Sequence, residues 1–311
     1  MNTRPTFLWH SLKLHAIALA LLGTGLAAHA ACSDGRIYLS QSSGVGDPTE
    51  LQMSAGALPV AFSTMGTSAT RTYNALGYNP SDDKLYGTTF NDNILVKINE
   101  TNGATTDLGA ITGLPASVDR FNSGAFSADG KYYVKPFGNN NALYLIDVTA
   151  SPPTATLITL TQSFTTSDMA WVNGLMYSTA DNGQLYSIDV ATGTTTAIGT
   201  PDAIGGVLGA QYSGTNGLFG AANNGSGMYR INLTTGRRDK ISDSPASSSN
   251  DGASCPTVAL FEPLPDDPNL PVNPAQVVAA VPALDVAGLG LLSLLGAGAG
   301  ALALRRRKRV G

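Results

Sequence analysis

Hydrophobic and polar residues alternate with a period of two along "LYSIDVATG", residues 185–193, where Tyr186, Ile188 and Val190 oppose Leu185, Ser187 and Asp189. That period predicts a β-strand with two unlike faces. The string is nearly repeated as "LVKINETNG" (95–103), "LYLIDVTAS" (143–151) and "MYRINLTTG" (228–236). A second string precedes it each time: "SDGRIYLS", "SDDKLYGT", "ADGKYYVK", "VNGLMYST" and "GTNGLFGA". Its aromatic falls at Tyr38, Tyr86, Tyr133, Tyr177 and Phe219, at spacings of 48, 47, 44 and 42 residues. A period in this range marks a propeller-type array.

Each of the last four units opens with a short Gly/Ala-rich strand ending in a large side chain: "ALGY", "SGAF", "DMAW", "LGAQY". Asn, Asp and Gly punctuate the turns, and a Thr-rich strand such as "TTTAIG" closes the unit. The expected unit is a four-stranded antiparallel meander. A lone sheet of this kind cannot cover both faces, so successive units must pack face to face, and radial closure leaves few exposed edges. The first unit lacks an innermost strand, whereas "DGASC" (251–255) resembles one and has no unit of its own. The expectation is an all-β propeller of five four-stranded blades, with four or six as alternatives, closed by a C-terminal strand.

The termini are of different composition. Arg4 and Lys13 precede the apolar stretch "AIALALLGTGLA" and the small-x-small site Ala28-His29-Ala30, which read as a secretory signal over 1–30. A lipoprotein reading of Cys32 is disfavoured by His29 three positions before it. All three histidines (His10, His15, His29) lie within that signal, so the mature chain has no imidazole base or histidine metal ligand. Cys32 and Cys255 are the only cysteines, and in an exported chain they read as one disulfide. Residues 31–261 form the expected propeller domain, followed by a Pro-rich spacer at 262–280 and a tail at 281–311. In the tail, Val286–Leu304 is 19 residues without a charge, long enough for a single hydrophobic helix to span a bilayer, and five basic residues (305–309) follow it. Between these ends, residues 31–282 carry 21 acidic against 11 basic side chains, about −10 net, which argues against nucleic acid as a partner.

The strings "YNALGYNPSDDKLYG", "INETNGATTDLGAITGLP", "SGAFSADGKYYV" and "SNDGASCP" resemble an uncharacterised family of exported bacterial propeller-like domains over residues 32–258. The resemblance implies the fold and brings no activity. "VPAL" (281–284), the apolar run and the terminal basic cluster resemble IPTL-CTERM sorting tails. They imply secretion machinery and an exosortase-like processing enzyme as partners, with the cell surface or extracellular space as destination. "DVAGL" (285–289) departs from that pattern, and a permanent inner-membrane anchor with the propeller in the periplasm is the alternative.

Candidate chemistry sits where the chain turns into the inner strands, at Asn74, Asn122, Ser167/Asp168, Val207 and Asn250/Asp251. Asn74, Asn122, Asp168, Asn250 and Asp251 would form a partial ring of amides and carboxylates able to hold a cation or sugar hydroxyls, with surface polysaccharide as the candidate ligand. The competing explanation is turn chemistry, because Asn and Asp tolerate unusual backbone angles. The same applies to the amide-rich turns "GNNN" (138–141) and "ADNG" (180–183). Trp171 is expected in the core. No cofactor and no metal are expected, since "NPSDDK" and "SADGK" lack the oxygen ligands of a complete calcium loop. The functional expectation is a non-catalytic binding or structural module. The enzyme alternative is a glycan hydrolase using Asp168 and Asp251 as a carboxylate pair.

Overall fold

The computed structural model describes residues 32 and 34–264, apart from 45–46 and 69–70. The expected signal at 1–30, most of the spacer, and the tail with its apolar helix lie outside the described residues.

The repeats fold as five four-stranded antiparallel sheets. Blade 1 contains β1 (Ile37–Gln41), β2 (Glu50–Ser54) and β3 (Ser63–Thr67). Blade 2 is β4 (Tyr73–Asn79), β5 (Lys84–Thr89), β6 (Ile94–Ile98) and β7 (Thr105–Ala110). Blade 3 is β8 (Phe121–Phe126), β9 (Tyr132–Pro136), β10 (Asn140–Asp147) and β11 (Thr154–Phe164). Blade 4 is β12 (Ala170–Val172), β13 (Leu175–Thr179), β14 (Leu185–Asp189) and β15 (Thr194–Ile198). Blade 5 is β16 (Leu208–Gly214), β17 (Gly217–Ala222), β18 (Met228–Ile231) and β19 (Arg238–Ser242). The last strand, β20 (Asp251–Ser254), returns to pair antiparallel with β1, Tyr38 opposite Ala253, and completes blade 1. The five-bladed propeller closed by a C-terminal strand is therefore the fold.

Five apolar clusters fill the five seams between blades, and the repeated aromatics build them. Tyr38 stacks on Tyr78 between blades 1 and 2, with centroids 5.9 Å apart, and Tyr133 lies parallel to Trp171 between blades 3 and 4, at 6.4 Å. Tyr86 meets Phe126 at 5.4 Å between blades 2 and 3. In each case an aromatic of one blade's second strand meets the large residue ending the next blade's inner strand. Blade 5 departs from this rule. The β16–β17 hairpin pairs Gly214 with Gly217 and so places Tyr212 opposite Phe219, where the other blades have Gly77, Ala125, Ala170 and Ala253 opposite their aromatics. A one-residue shift sends the side chain to the other face, so Tyr212 turns into the fully buried interior and Ser213 takes the place of Trp171.

Closure is covalent as well. Cys32 and Cys255 form a disulfide, with Cα atoms 6.0 Å apart. Both cysteines lie just outside the paired strands: Cys32 precedes β1 by five residues and Cys255 directly follows β20. The bond closes a loop of 223 residues, a constraint on the unfolded chain of about 5 kcal/mol in the chain-entropy treatment.

Candidate functional site

The inner strands β4, β8, β12, β16 and β20 converge on the propeller axis, and their close approach decides what the axis can contain. A Cβ added to Gly124 would lie 2.2 Å from the Ala75 carbonyl oxygen, and one added to Gly252 would lie 2.8 Å from that of Gln211. Only glycine allows these backbones to touch. The cavity that remains, bordered by Leu76, Gly124, Met169, Gln211 and Gly252, measures about 10 Å³, room for about one water.

Asp168 and Asp251 occupy this axis, both fully buried and adjacent, since Gly252 N donates to both. The inner strands are the sheet edges turned to the axis, so part of their backbone N–H groups has no ladder partner, and the carboxyl groups accept them. Asp251 Oδ2 accepts from Leu76 N at 2.6 Å, and Oδ1 from Gly252 N at 3.1 Å. Asp168 Oδ1 accepts from Met169 N at 2.6 Å, while Oδ2 accepts from Gly252 N at 3.0 Å and from Gln211 N. These bonds join blades 1, 2, 4 and 5, and the Tyr132 hydroxyl of blade 3 adds a bond to the Ala75 carbonyl of blade 2. Burial raises the pKa of both aspartates, since a charge in this apolar surround is costly. The Asp168 charge is the second cause for Asp251, and two adjacent carboxylates cannot both ionise cheaply. The phenols of Tyr132 and Tyr212 are raised by burial first and by the two carboxylates next.

The remaining predicted residues surround this pair without pointing to solvent. Asn74 Nδ2 donates to the Asn250 carbonyl at 3.4 Å, and Asn74 Oδ1 accepts from Ala75 N at 2.7 Å, where Ala75 has φ 54°. Asn122 Nδ2 donates to the Thr166 carbonyl at 2.8 Å, and Asn250 Nδ2 to Ser247 Oγ at 2.8 Å. The structure thus unites Asp168 with Asp251, places Asn74 and Asn122 as braces to the neighbouring blade, and leaves the Asn250 side chain bonded within its own loop. Among the described residues no three His, Cys, Asp or Glu side chains converge in a metal-ligand cluster.

Two features were missed from the sequence. Lys135 on β9 is fully buried, its Nζ donating to the carbonyl and Oδ1 of Asn140 at 2.9 and 2.8 Å and lying 4.9 Å from the Phe164 centroid. Burial pulls its pKa down to about 8. A lone lysine ending the apolar run "YYVK" was the available signal. Trp171, expected in the core, is half-buried and borders a surface groove with Tyr133.

Residues 38–257 match the model of a protein family described as a repeat of unknown function, DUF6923. No curated protein matches the chain. Among solved structures, the nidogen/laminin complex is similar at 8% identity and TM-score 0.44, over 71% of this chain and 98% of that one. A gluconolactonase of Xanthomonas campestris is similar at 13% identity and TM-score 0.43, over 69% of this chain and 73% of that one. A Bacteroides thetaiotaomicron protein of unknown function is similar at 12% identity and TM-score 0.44, over 74% and 64%. Likenesses of this size carry no argument about ligand or activity.

Proposed function

The chain belongs to the DUF6923 family, and from that premise we propose that it is an exported, surface-associated propeller whose role is binding or structural and not catalytic. The observation that carries this reading is the state of the two carboxylates gathered at the axis. A hydrolase needs one acid to protonate the leaving group and one to attack or to activate water, each in contact with substrate. Asp168 and Asp251 are fully buried, bonded to backbone amides, and beside a cavity of about 10 Å³. Their geometry suits them to clasping blades. The disulfide Cys32–Cys255 supports an oxidising destination, and the signal-like and sorting-like ends suggest delivery to the cell surface, by processing of the tail or by anchoring through it.

The test is incubation of the full-length chain with soluble and insoluble glycans, scoring retention and product release separately. Retention without release agrees with the proposal; release that Asp168→Asn abolishes would sink it. Intact masses from each cell fraction test the delivery. A species starting at Ala31 and shortened near Val281 indicates sorting, and a mature chain retaining its tail in the membrane indicates an anchor.

A further inference from the structure

At the mouth of the seam between blades 3 and 4, on the face where the inner strands begin, lies a groove of about 440 Å³. That size lies within the range of small-ligand sites, roughly 300–1,000 Å³. One wall is aromatic: Phe164 and the half-buried Tyr186 stack with centroids 4.6 Å apart and planes 21° from parallel. Phe164 is itself fixed from below by the buried Lys135 ammonium, 4.9 Å from its ring centroid. The other walls are the amide-rich turns of two neighbouring blades, contributing Asn139 from one and Asp181 and Asn182 from the other, with Ser163 between them.

What separates these polar groups from ordinary turn residues is that several are unused. Asn140, the neighbour of Asn139, spends its side chain on Lys135 and on the carbonyls of Pro136, Phe137 and Gly138. Asn139 and Ser163 have no side-chain hydrogen-bond partner among the described residues, and both are exposed. Asn182 Oδ1 accepts from Gln184 N at 3.1 Å, leaving its Nδ2 free. Asp181 Oδ1 accepts from Ser167 Oγ at 2.9 Å, leaving Oδ2 free.

An apolar ring face bordered by free amide, hydroxyl and carboxylate groups matches a pyranose, which offers a C–H face and a rim of hydroxyls. The lining holds one carboxylate and no exposed cation, which disfavours uronates and other acidic sugars. We infer that this groove is a binding site for a neutral saccharide segment, stacked on Tyr186 and hydrogen-bonded by Asn139, Asp181 and Asn182. The inference rests on the binding reading above and supplies its ligand class and location.

The experiment is calorimetric titration of the full-length chain with cellohexaose, maltohexaose and chitohexaose, with oligogalacturonate as the acidic control. At least one neutral oligosaccharide should bind. Tyr186→Ala should weaken that binding at least about tenfold, in line with loss of an aromatic stacking surface. Because Tyr186 also packs on Phe164, a second variant guards against misfolding. Asn139→Arg combined with Ser163→Arg alters only exposed, unbonded side chains; it should abolish binding while leaving the urea midpoint in place. Neutral-glycan binding that survives the double variant, or binding of oligogalacturonate alone, overturns the groove assignment and leaves the binding module standing. Binding of no glycan by the wild-type chain overturns the groove assignment and the binding half of the proposed function, leaving the structural role.

Discussion

At the axis, the oxygens of Asp168 and Asp251 all accept backbone N–H groups, whereas in the groove between blades 3 and 4 Asn139 has no side-chain partner and Asp181 and Asn182 each keep one polar atom free. The two places use the same residue types in the same kind of turn-and-strand context. What differs is whether the surrounding backbone has already claimed them. Inner strands are sheet edges turned to the axis, which leaves N–H groups buried without a ladder partner, and a buried donor must be satisfied. Regular hairpin turns at the surface satisfy their own backbone and leave side chains over. Polar residues of the first kind hold the ring together; those of the second kind are available to something else.

The comparison breaks most visibly if Asp168 is replaced. Asp168→Ala leaves the N–H groups of Met169 and Gln211 without this acceptor, while Gly252 N keeps Asp251 Oδ1; at about 1–3 kcal/mol for each buried donor, a loss of at least about 2 kcal/mol is expected in urea unfolding. A loss below about 1 kcal/mol would show that the axial bonds are not structural. Gly252→Ala should cost about 1–3 kcal/mol through overpacking, since the new methyl would meet Gln211 O and N at 2.8 and 2.9 Å. An unchanged midpoint there would mean that the axis has more room than its geometry gives.

Titration sharpens the contrast further. The axial aspartates bind protons more tightly folded than unfolded, Asp168 being raised to about 7. Their contribution is therefore greatest below the unfolded value of about 4 and declines as pH rises towards 7. Lys135 has the opposite sign of shift, lowered from 10.5 to about 8, so the cost of burying its charge is relieved between about pH 8 and 10.5. Stability against pH should fall on the first limb and recover on the second. Asp251→Asn should flatten the first, and Lys135→Met the second; a profile that either variant leaves untouched assigns that limb to other groups. The smallest effects belong to the groove, where Asn139→Ala and Asn182→Ala should each change stability by no more than about 0.5 kcal/mol, as at other exposed positions. Larger losses would place these amides with the axial ones.

The propeller was legible in the sequence because its signal is repeated. The second-strand aromatics Tyr38, Tyr86, Tyr133, Tyr177 and Phe219 fix the blades, and the orphan "DGASC" identifies the closing strand. The string "LGAQY" resembles the other inner strands, yet its Tyr212 faces the interior, because the register follows the pairing of the next hairpin and local composition does not show it. Asp168 and Asp251 were picked out, but whether they meet solvent depends on how closely Gly124 and Gly252 let neighbouring strands approach, a distance that no single strand encodes. The turns "GNNN" and "ADNG" were read as turn chemistry. Asn140 and Asn182 do serve their turns, and only the three-dimensional hydrogen-bond pattern distinguishes Asn139 from Asn140.

Pairing of β1 with β20 also sets an order of events for a chain that emerges from its N-terminus. The first strand to appear must wait for a partner more than 200 residues behind it, since Leu39 pairs with Gly252. Until then the inner edge of blade 1 is open to any other strand, and the long interval makes ring closure slow relative to the hairpins of individual blades. An emerging chain therefore keeps one unsealed edge while the other blades complete themselves one after another. Whatever shields that edge in the interval governs how much of the protein closes into a ring.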